Sequence, residues 1–455
     1  MHFPTRRQFI ARTALSAAAV SSGLIDLKAQ VPGDRPKRGA DVTVLNPRHR
    51  VPLSFIIDDS TCLVNLAHFC IPQFAEVFPN QYKQDWRKLP REIPDAFVRE
   101  FGEWCGAHGV KGKYSIVPYP ACVGWVDREM PGWTKRELND SLKLVRDLMM
   151  PNWDIHPEMV THTWGINTKT GRPYDERTER FMENWGFSVG KSADELTEYL
   201  SFALGILKNA GLTCEGITTP GGFGNKVLPQ LSQATLASVR HVFNAEIPHY
   251  FRHLFTDKTS VAPRVENARG LDTDDPRCVV SMIGCTGDWF GGWDGLERGD
   301  VDKLITEDGK GRMPEVIARG EPAIMVCHWP GIYFNGERVG FNILKEAVKR
   351  LHAQHDNLIW MKLSEIARYW AAKELTRIER NGNTITLHAP FATKDFTLKI
   401  PAMPNAVPKL IESKVPVILP EVNSVKSITS RTWLRQQDSA IICFDLPKGV
   451  TAISV

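Results

Sequence analysis

From residue 50 to about residue 375, short apolar runs alternate with stretches of helical period, and few architectures accept that order. PLSFII (52–57) is a continuous apolar run bounded by polar residues, as in a strand buried on both faces. A helix is expected near 95–108, stopped by Gly109, and then a strand at KYSIVPY (113–119). TKRE (134–137) and SADE (192–195) have the spacing of a capping box, so a helix is expected from each. The first should run to about Met150 and the second should stop at Gly211. EMVTH (158–162), GITT (216–219), HVFNA (241–245), CVVSMIG (278–284) and PAIMVCH (322–328) are further strand candidates. A helix at 341–354, a strand at LIWMK (358–362) and a helix from Ser364 close the series. Strands joined by helices call for a parallel sheet, and about seven or eight such units are most simply arranged as a (β/α)7-like barrel. A doubly wound open sheet is the alternative, but no G-x-G-x-x-G follows the first strand.

After about Leu375 the pattern changes. RIERNGNTITLHAP (377–390) places Asn-Gly between short alternating runs, and DFTLKI (395–400) alternates as well. These are antiparallel signals, so residues 376–455 are expected to form a small β-sandwich beside a barrel domain spanning 30–375. TRRQFIA (5–11), followed by a short weakly apolar run, resembles a twin-arginine export signal over residues 1–29. That run is too short to span a bilayer, so a periplasmic or secreted protein with no integral membrane segment after cleavage is expected. Arg6, Arg7, Arg12 and Lys28 account for most of the formal net charge of +4. The remainder is close to neutral and offers no electrostatic case for nucleic acid as a partner. Nine cysteines are scattered without a C-x-x-C pair, which excludes a zinc ribbon and points to buried thiols.

Polar and aromatic clusters follow the predicted strands, where a parallel barrel carries its reactive groups. Asp58 and Asp59 end the first strand. Two adjacent carboxylates at one site call for a cation or a shared proton. His162 ends a predicted strand in HPEMVTHTW (156–164), where its imidazole can meet Asp59, and His156 is placed at that strand's entrance. His328 ends the strand in MVCHWPG (325–331), a position suited to a general acid. GDWFGGWDG (287–295) adds Asp288. Trp164, Trp289, Trp293 and Trp329 fall in these loops, where exposed rings could stack on sugars. TTPGG (218–222) would let backbone near Pro220 and Gly221 approach a substrate closely.

In their order along residues 51–370, these stretches resemble the polysaccharide deacetylases of carbohydrate esterase family four. That resemblance implies a (β/α)7 barrel and removal of acetyl groups from sugars with a divalent metal, often zinc. It implies Asp58 as base, Asp59 and His162 as metal ligands, and His328 as acid, with Asp288 and Trp289 in the Asp-Trp motif. Pro220 falls in the family's arginine-and-proline motif, and LIWMKLSEIARYW (358–370) resembles the closing segment. The chain departs from the pattern twice. The second metal histidine, four positions after the first, falls on Ile166, and the arginine that orients the base falls on Thr218. Asn167 and His68 are the replacement ligand candidates, since a catalytic zinc site takes three protein ligands.

The leading reading is metal-dependent deacetylation of a carbohydrate. A metal-free glycoside hydrolase on the same scaffold is the alternative, pairing an acid such as Asp288 or Asp294 with the first-strand carboxylates. A non-catalytic carbohydrate-binding protein is the third reading, although a pure binder has no need for Asp58, Asp59, His162 and His328 together.

Overall fold

The computed structural model describes residues 31–39, 41–401, 407–412 and 415–455, so the export segment expected at 1–29 lies outside the described residues. The strands that position the site are β1 (Val51–Asp58), β2 (Gly112–Ser115), β3 (Trp153–His156), β4 (Gly216–Thr218), β5 (His249–Leu254), β6 (Arg264–Arg269), β7 (Arg277–Gly284), β8 (Ala323–His328) and β9 (Leu358–Trp360). Between them run α1 (Leu66–Val77), α2 (Asp95–Ala107), α3 (Lys135–Leu144), α4 (Ala193–Asn209), α5 (Leu228–Phe243) and α6 (Val339–Gln354), with α7 (Leu363–Leu375) after the last strand. α3 and α4 both begin with complete capping boxes, Thr134 with Glu137 and Ser192 with Glu195, as their spacing predicts.

All eight residues of β1 are buried. Leu53, Phe55 and Ile57 pack in the main core with residues of α2 and α6. Ile56, pointing the other way, joins Phe251, Val280, Met282, Ile324 and Val326. This alternation puts Asp58 on the same face as Ile56. In parallel register, β1 pairs with β8 and β2, β2 pairs with β3, and β9 pairs with the first residues of β1.

The closed ring expected from the alternation is not continuous. β8, β1, β2, β3 and β9 form one sheet, and β4, β5, β7 and β6 form another, the last pair antiparallel. The two sheets approach through a single bridge from Glu158 to Thr218, and through the Cys285 amide donating to Ile324 O at 2.8 Å. The protein is therefore a mixed α/β chain with two sheets side by side. Two of the expected strands are not strands. HVFNA covers the end of α5, whose cap Asn244 takes a left-handed conformation (φ 55°), and the strand follows at β5. EMVTH is irregular because the amides of residues 160–162 donate to the buried carboxylate of Glu183 rather than to a neighbouring strand. β3 accordingly ends earlier, at His156.

The chain beyond Leu375 forms two five-stranded sheets, one of which also takes in Thr43–Val44 from before β1, so the β domain is not confined to 376–455. One runs Thr43–Val44, Thr393–Pro401, Ser439–Leu446, Thr432–Arg435 and Glu421–Val422. The other runs Arg377–Asn381, Thr384–Ala389, Gly449–Ser454, Lys409–Glu412 and Val415–Ile418. Ile385, Leu387 and Ile453 of the second meet Phe396, Leu398, Ile442 and Phe444 of the first in one core, as two sheets packed face to face require. All nine cysteines are free thiols, Cys122 half-buried and the rest buried. Among the described residues no helix is long and apolar enough to cross a membrane.

Candidate active site

Asp58, the last residue of β1, is the register partner of His328 on β8. Adjacent residues of an extended strand point to opposite faces, but Asp59 breaks that rule with a left-handed backbone (φ 60°). Aspartate tolerates this conformation better than most residues, at a cost of about 1 kcal/mol. The turn delivers both carboxylates to one end of the sheet. His162 (φ 66°) and Met159 (φ 53°) share this conformation in the segment facing Asp59, so backbone strain is concentrated around the site.

Three side chains converge there. His162 Nε2 lies 2.7 Å from Asp59 Oδ1 and 3.5 Å from Glu158 Oε1, and the Asp59 amide donates to Glu158 Oε2 at 2.9 Å. Each is at most 6% exposed. Burial opposes protonation of His162, yet the charge of Asp59 and contacts with Cys70 and Glu158 hold its pKa well above the ordinary value. Burial likewise favours a neutral Glu158, but His162, Lys113 and the Asp59 amide pull it down to about 2.

Of the ligand candidates named from the sequence, Asp59 and His162 stand in this trio, with Glu158 as its third member. His68 does not join it: its Nδ1 meets Leu89 O at 2.8 Å and its ring packs against Phe69 and Trp86. Asn167 does not join it either, its side-chain oxygen accepting from the Lys169 amide in a turn. Ile166 is a core residue. The four-residue spacing of the ligand pair is present one step earlier, with Glu158 four positions before His162.

Asp58 sits beside the trio and is 6% exposed. Its Oδ1 is ion-paired with Lys113 Nζ, itself fully buried and also donating to Ile57 O at 3.0 Å and Ser115 Oγ at 2.7 Å. Burial pushes Asp58 up to about 6 against the pull of Lys113, and the negative charge of Glu158 adds to the rise. Lys113 thus holds the carboxylate that an arginine at the position of Thr218 was expected to hold. His328 is hydrogen-bonded through Nδ1 to Asp288, and its side chain is about a quarter exposed. Burial works against the charged ring, but Asp288 and Asp59 raise it to about 10.

The aromatic expectations divide. Trp329 is fully buried against Phe97, Phe101 and Tyr114, and Trp164 is buried beneath the guanidinium of Arg177, so neither ring is free to stack on a sugar. Trp289 and Trp293 are part-exposed, Trp293 beside Phe74 and Tyr82. Pro220 is buried. Gly221 approaches Asn184 so closely that a Cβ would lie 2.7 Å from its carbonyl oxygen, and the Gly222 amide donates to that oxygen. These glycines therefore serve loop packing rather than substrate approach. Asp294 is buried and held by Gln84 and the Leu296 amide.

Glu183, absent from the sequence candidates, is the support of the His162 segment. Fully buried, it accepts from the amides of Val160, Thr161 and His162 and from the Tyr199 hydroxyl. Burial raises it to about 7 in spite of these donors. Glu183→Gln should loosen the bend, weakening divalent-ion affinity by roughly 10–100-fold. Competition titration against a chelating dye measures the affinity, and hydrogen exchange should show residues 158–163 losing protection. Unchanged values in both would remove Glu183 from this role.

A second trio, Asp154, His156 and His249, lies in the interior. Its carboxylate is already engaged by the amide (2.6 Å) and hydroxyl (2.7 Å) of Ser364 at the start of α7. Its histidines, 2.9 Å apart through Nε2, are held neutral by burial, His249 at about 4 and His156 well below its usual value. Ser364 satisfies Asp154, but His249 Nδ1 is buried without a hydrogen-bond partner, so this Asp-His-His cluster is a second candidate cation site. His156 belongs to it, inside the protein at the end of β3.

No protein-family model matches the chain, and no curated protein matches it. Among solved structures it is similar to a probable polysaccharide deacetylase from Pseudomonas aeruginosa PAO1, with 11% identity over 71% of this chain and 91% of that one (TM-score 0.40). A structure of Puue allantoinase is similar at 12% identity over 77% and 97% (TM-score 0.40). An alpha-L-fucosidase is similar at 10% identity over 90% and 97% (TM-score 0.30). All three scores are below 0.5, and the functional reading below rests on the geometry of the site.

Proposed function

We propose that the chain is a hydrolase that removes acetyl groups from a carbohydrate. The observation that carries this reading is the pairing of Asp58 with His328 across neighbouring strands, beside the Asp59–Glu158–His162 trio. Asp58, at about 6, is ionised near neutral pH and can accept a proton from an attacking water. His328, at about 10, is charged there and can give a proton to the departing nitrogen or oxygen. Asp288 orients that ring, and Lys113 fixes Asp58. Both acids named as partners for a glycosidase are engaged, Asp288 by His328 and Asp294 by Gln84 and the Leu296 amide, which counts against that reading.

The trio suits a divalent cation. Its donor atoms lie within 4.8 Å of one another and all three side chains are buried, with oxygens of two carboxylates facing one imidazole nitrogen. Two carboxylates and an imidazole are a ligand set for zinc or a similar ion. When bound, such an ion supplies Lewis-acid polarisation of the acyl carbonyl. Elemental mass spectrometry should find about one equivalent of a divalent metal in the wild type and a large loss in Glu158→Gln and His162→Ala. Equal metal in wild type and both variants would assign the ion elsewhere. Acetate release that persists in Asp58→Asn would remove the hydrolytic reading.

The same reading takes the two sheets as halves of a (β/α)7-like barrel within residues 30–375, with 376–455 as a β domain to which the strand Thr43–Val44 is added. It also takes residues 1–29 as a twin-arginine signal that sends the protein to the periplasm or beyond. N-terminal mass spectrometry of periplasmic material tests the last point: an intact Met1 there argues against cleavage.

A further inference from the structure

β5 carries an irregularity where it lies against β7. Met282 pairs with Phe251 and Ile283 with His253, so Arg252 has no register partner. An extra residue of this kind bends a strand and re-aims its side chain, a device found beside active sites. The Arg252 side chain turns to the loop after β4, where Nε donates to Asn225 Oδ1 at 2.7 Å and Nη1 lies 3.5 Å from Thr219 Oγ1. Thr219 directly follows β4, at the same ends of the parallel strands as Asp58 and His328.

Arg252 is 7% exposed, and its Nη2 is buried without a hydrogen-bond partner. Among the described residues it forms no ion pair. A buried guanidinium with no carboxylate against it is costly, and such groups are normally paired. Asp58, near enough to act on it electrostatically, is already paired with Lys113. Asn225 fixes the Nε edge, which leaves Nη2 and the loosely held Nη1 as a fork matched to two oxygens of one anionic group.

We propose that Arg252 is the anion-recognising element of a substrate subsite beside Asp58, so that the sugar carries an acidic substituent: a carboxylate, sulfate or phosphate. The word substrate rests on the hydrolase reading above, whereas anion binding at Arg252 does not.

The test is calorimetry at constant ionic strength with inorganic sulfate, inorganic phosphate and glucuronate as separate probes, and glucose as the neutral control. Wild type, Arg252→Met, Arg252→Lys and Asp58→Asn are compared, with circular dichroism as the check on folding. At least one anion should bind wild type and glucose should not, and which anion binds best distinguishes the three sources of charge. Binding should weaken at least ~10-fold in Arg252→Met, the loss expected for a charge-assisted hydrogen bond. It should weaken in Arg252→Lys too, because an ammonium cannot supply the planar fork. Asp58→Asn should bind the anion at least as well as wild type while losing acetate release. Absence of anion binding by wild type overturns the proposal, as does binding within twofold of wild type in Arg252→Lys, even if the Met variant does not fold. Failure of the hydrolase reading would appear separately, as no acetate release by wild type with anion binding intact.

Discussion

An Asp58→Asn variant is expected to lose turnover by ~10³-fold, within the range for removal of a positioned general base, and to be less stable than the wild type because Lys113 is left buried without its carboxylate. The amide keeps the shape of the side chain but cannot accept a proton. The pH profile makes the assignment specific. Burial raises Asp58 above the usual carboxylate range to about 6, so its base form accumulates as pH rises through that value. His328 is raised to about 10, so its acid form persists until pH passes that value. The kcat of the wild type should climb through about pH 6, stay level, and fall near about pH 10. His328→Gln should lack the upper limb. A wild-type profile that is flat through about pH 6 would exclude Asp58 as the base.

Lys113→Met should have the second large effect, and on stability as much as on rate. Lys113 and Asp58 are both buried and paired with each other. Removing one partner of such a pair leaves an uncompensated charge, at a cost of about 3–5 kcal/mol. Because Lys113 pulls the Asp58 pKa down, its loss moves that pKa above about 6, and the acid limb of the rate profile shifts to higher pH. The sign of the stability effect follows. A folded-state pKa raised above the unfolded value disfavours the ionised fold, so the deficit of the variant should be largest above the folded pKa. It should shrink as pH falls and Asp58 becomes neutral. Urea unfolding at about pH 5 and about pH 8 measures this. The double variant with Asp58→Asn should recover much of the loss, because it no longer buries a lone charge. An equal deficit at both pH values, without recovery in the double variant, would mean that Lys113 acts by packing alone.

Asp58, Asp59, His162, Asp288 and His328 were legible as candidates because each stands where an apolar run gives way to polar residues. A chain leaving a parallel sheet exposes its reactive groups at such points. Glu158 stood within the same quoted stretch as His162, four residues before it, but read as part of a strand. The carboxylate of Glu183 bends that segment out of the sheet, and no local pattern records a partner 21 residues away. Lys113 and Arg252 carry only a weak local signal. Lys113 opens the expected strand at 113–119 and Arg252 stands between Phe251 and His253 in a stretch with no clear apolar pattern, so only their burial in the structure marks them, since charged residues are almost never buried without a partner. The tryptophans went the other way. A Trp between His328 and Pro330 at a strand end looks available, but Trp329 fills the core above Phe101.

The sequence alone determined the repeating order of strand and helix, the two capping boxes and the change to largely antiparallel pairing after Leu375. All of these are set by contacts within a few positions along the chain, so periodicity and turn chemistry suffice to read them. Only the tertiary structure decided that Glu158, rather than His68 or Asn167, completes the trio, that Lys113 holds Asp58, and that Arg252 is turned toward Thr219 and Asn225. Those outcomes depend on the register between strands distant in sequence, on the left-handed turns at Asp59 and His162, and on one unpaired residue in β5. Buried charges must find partners, but sheet register determines which groups are within reach.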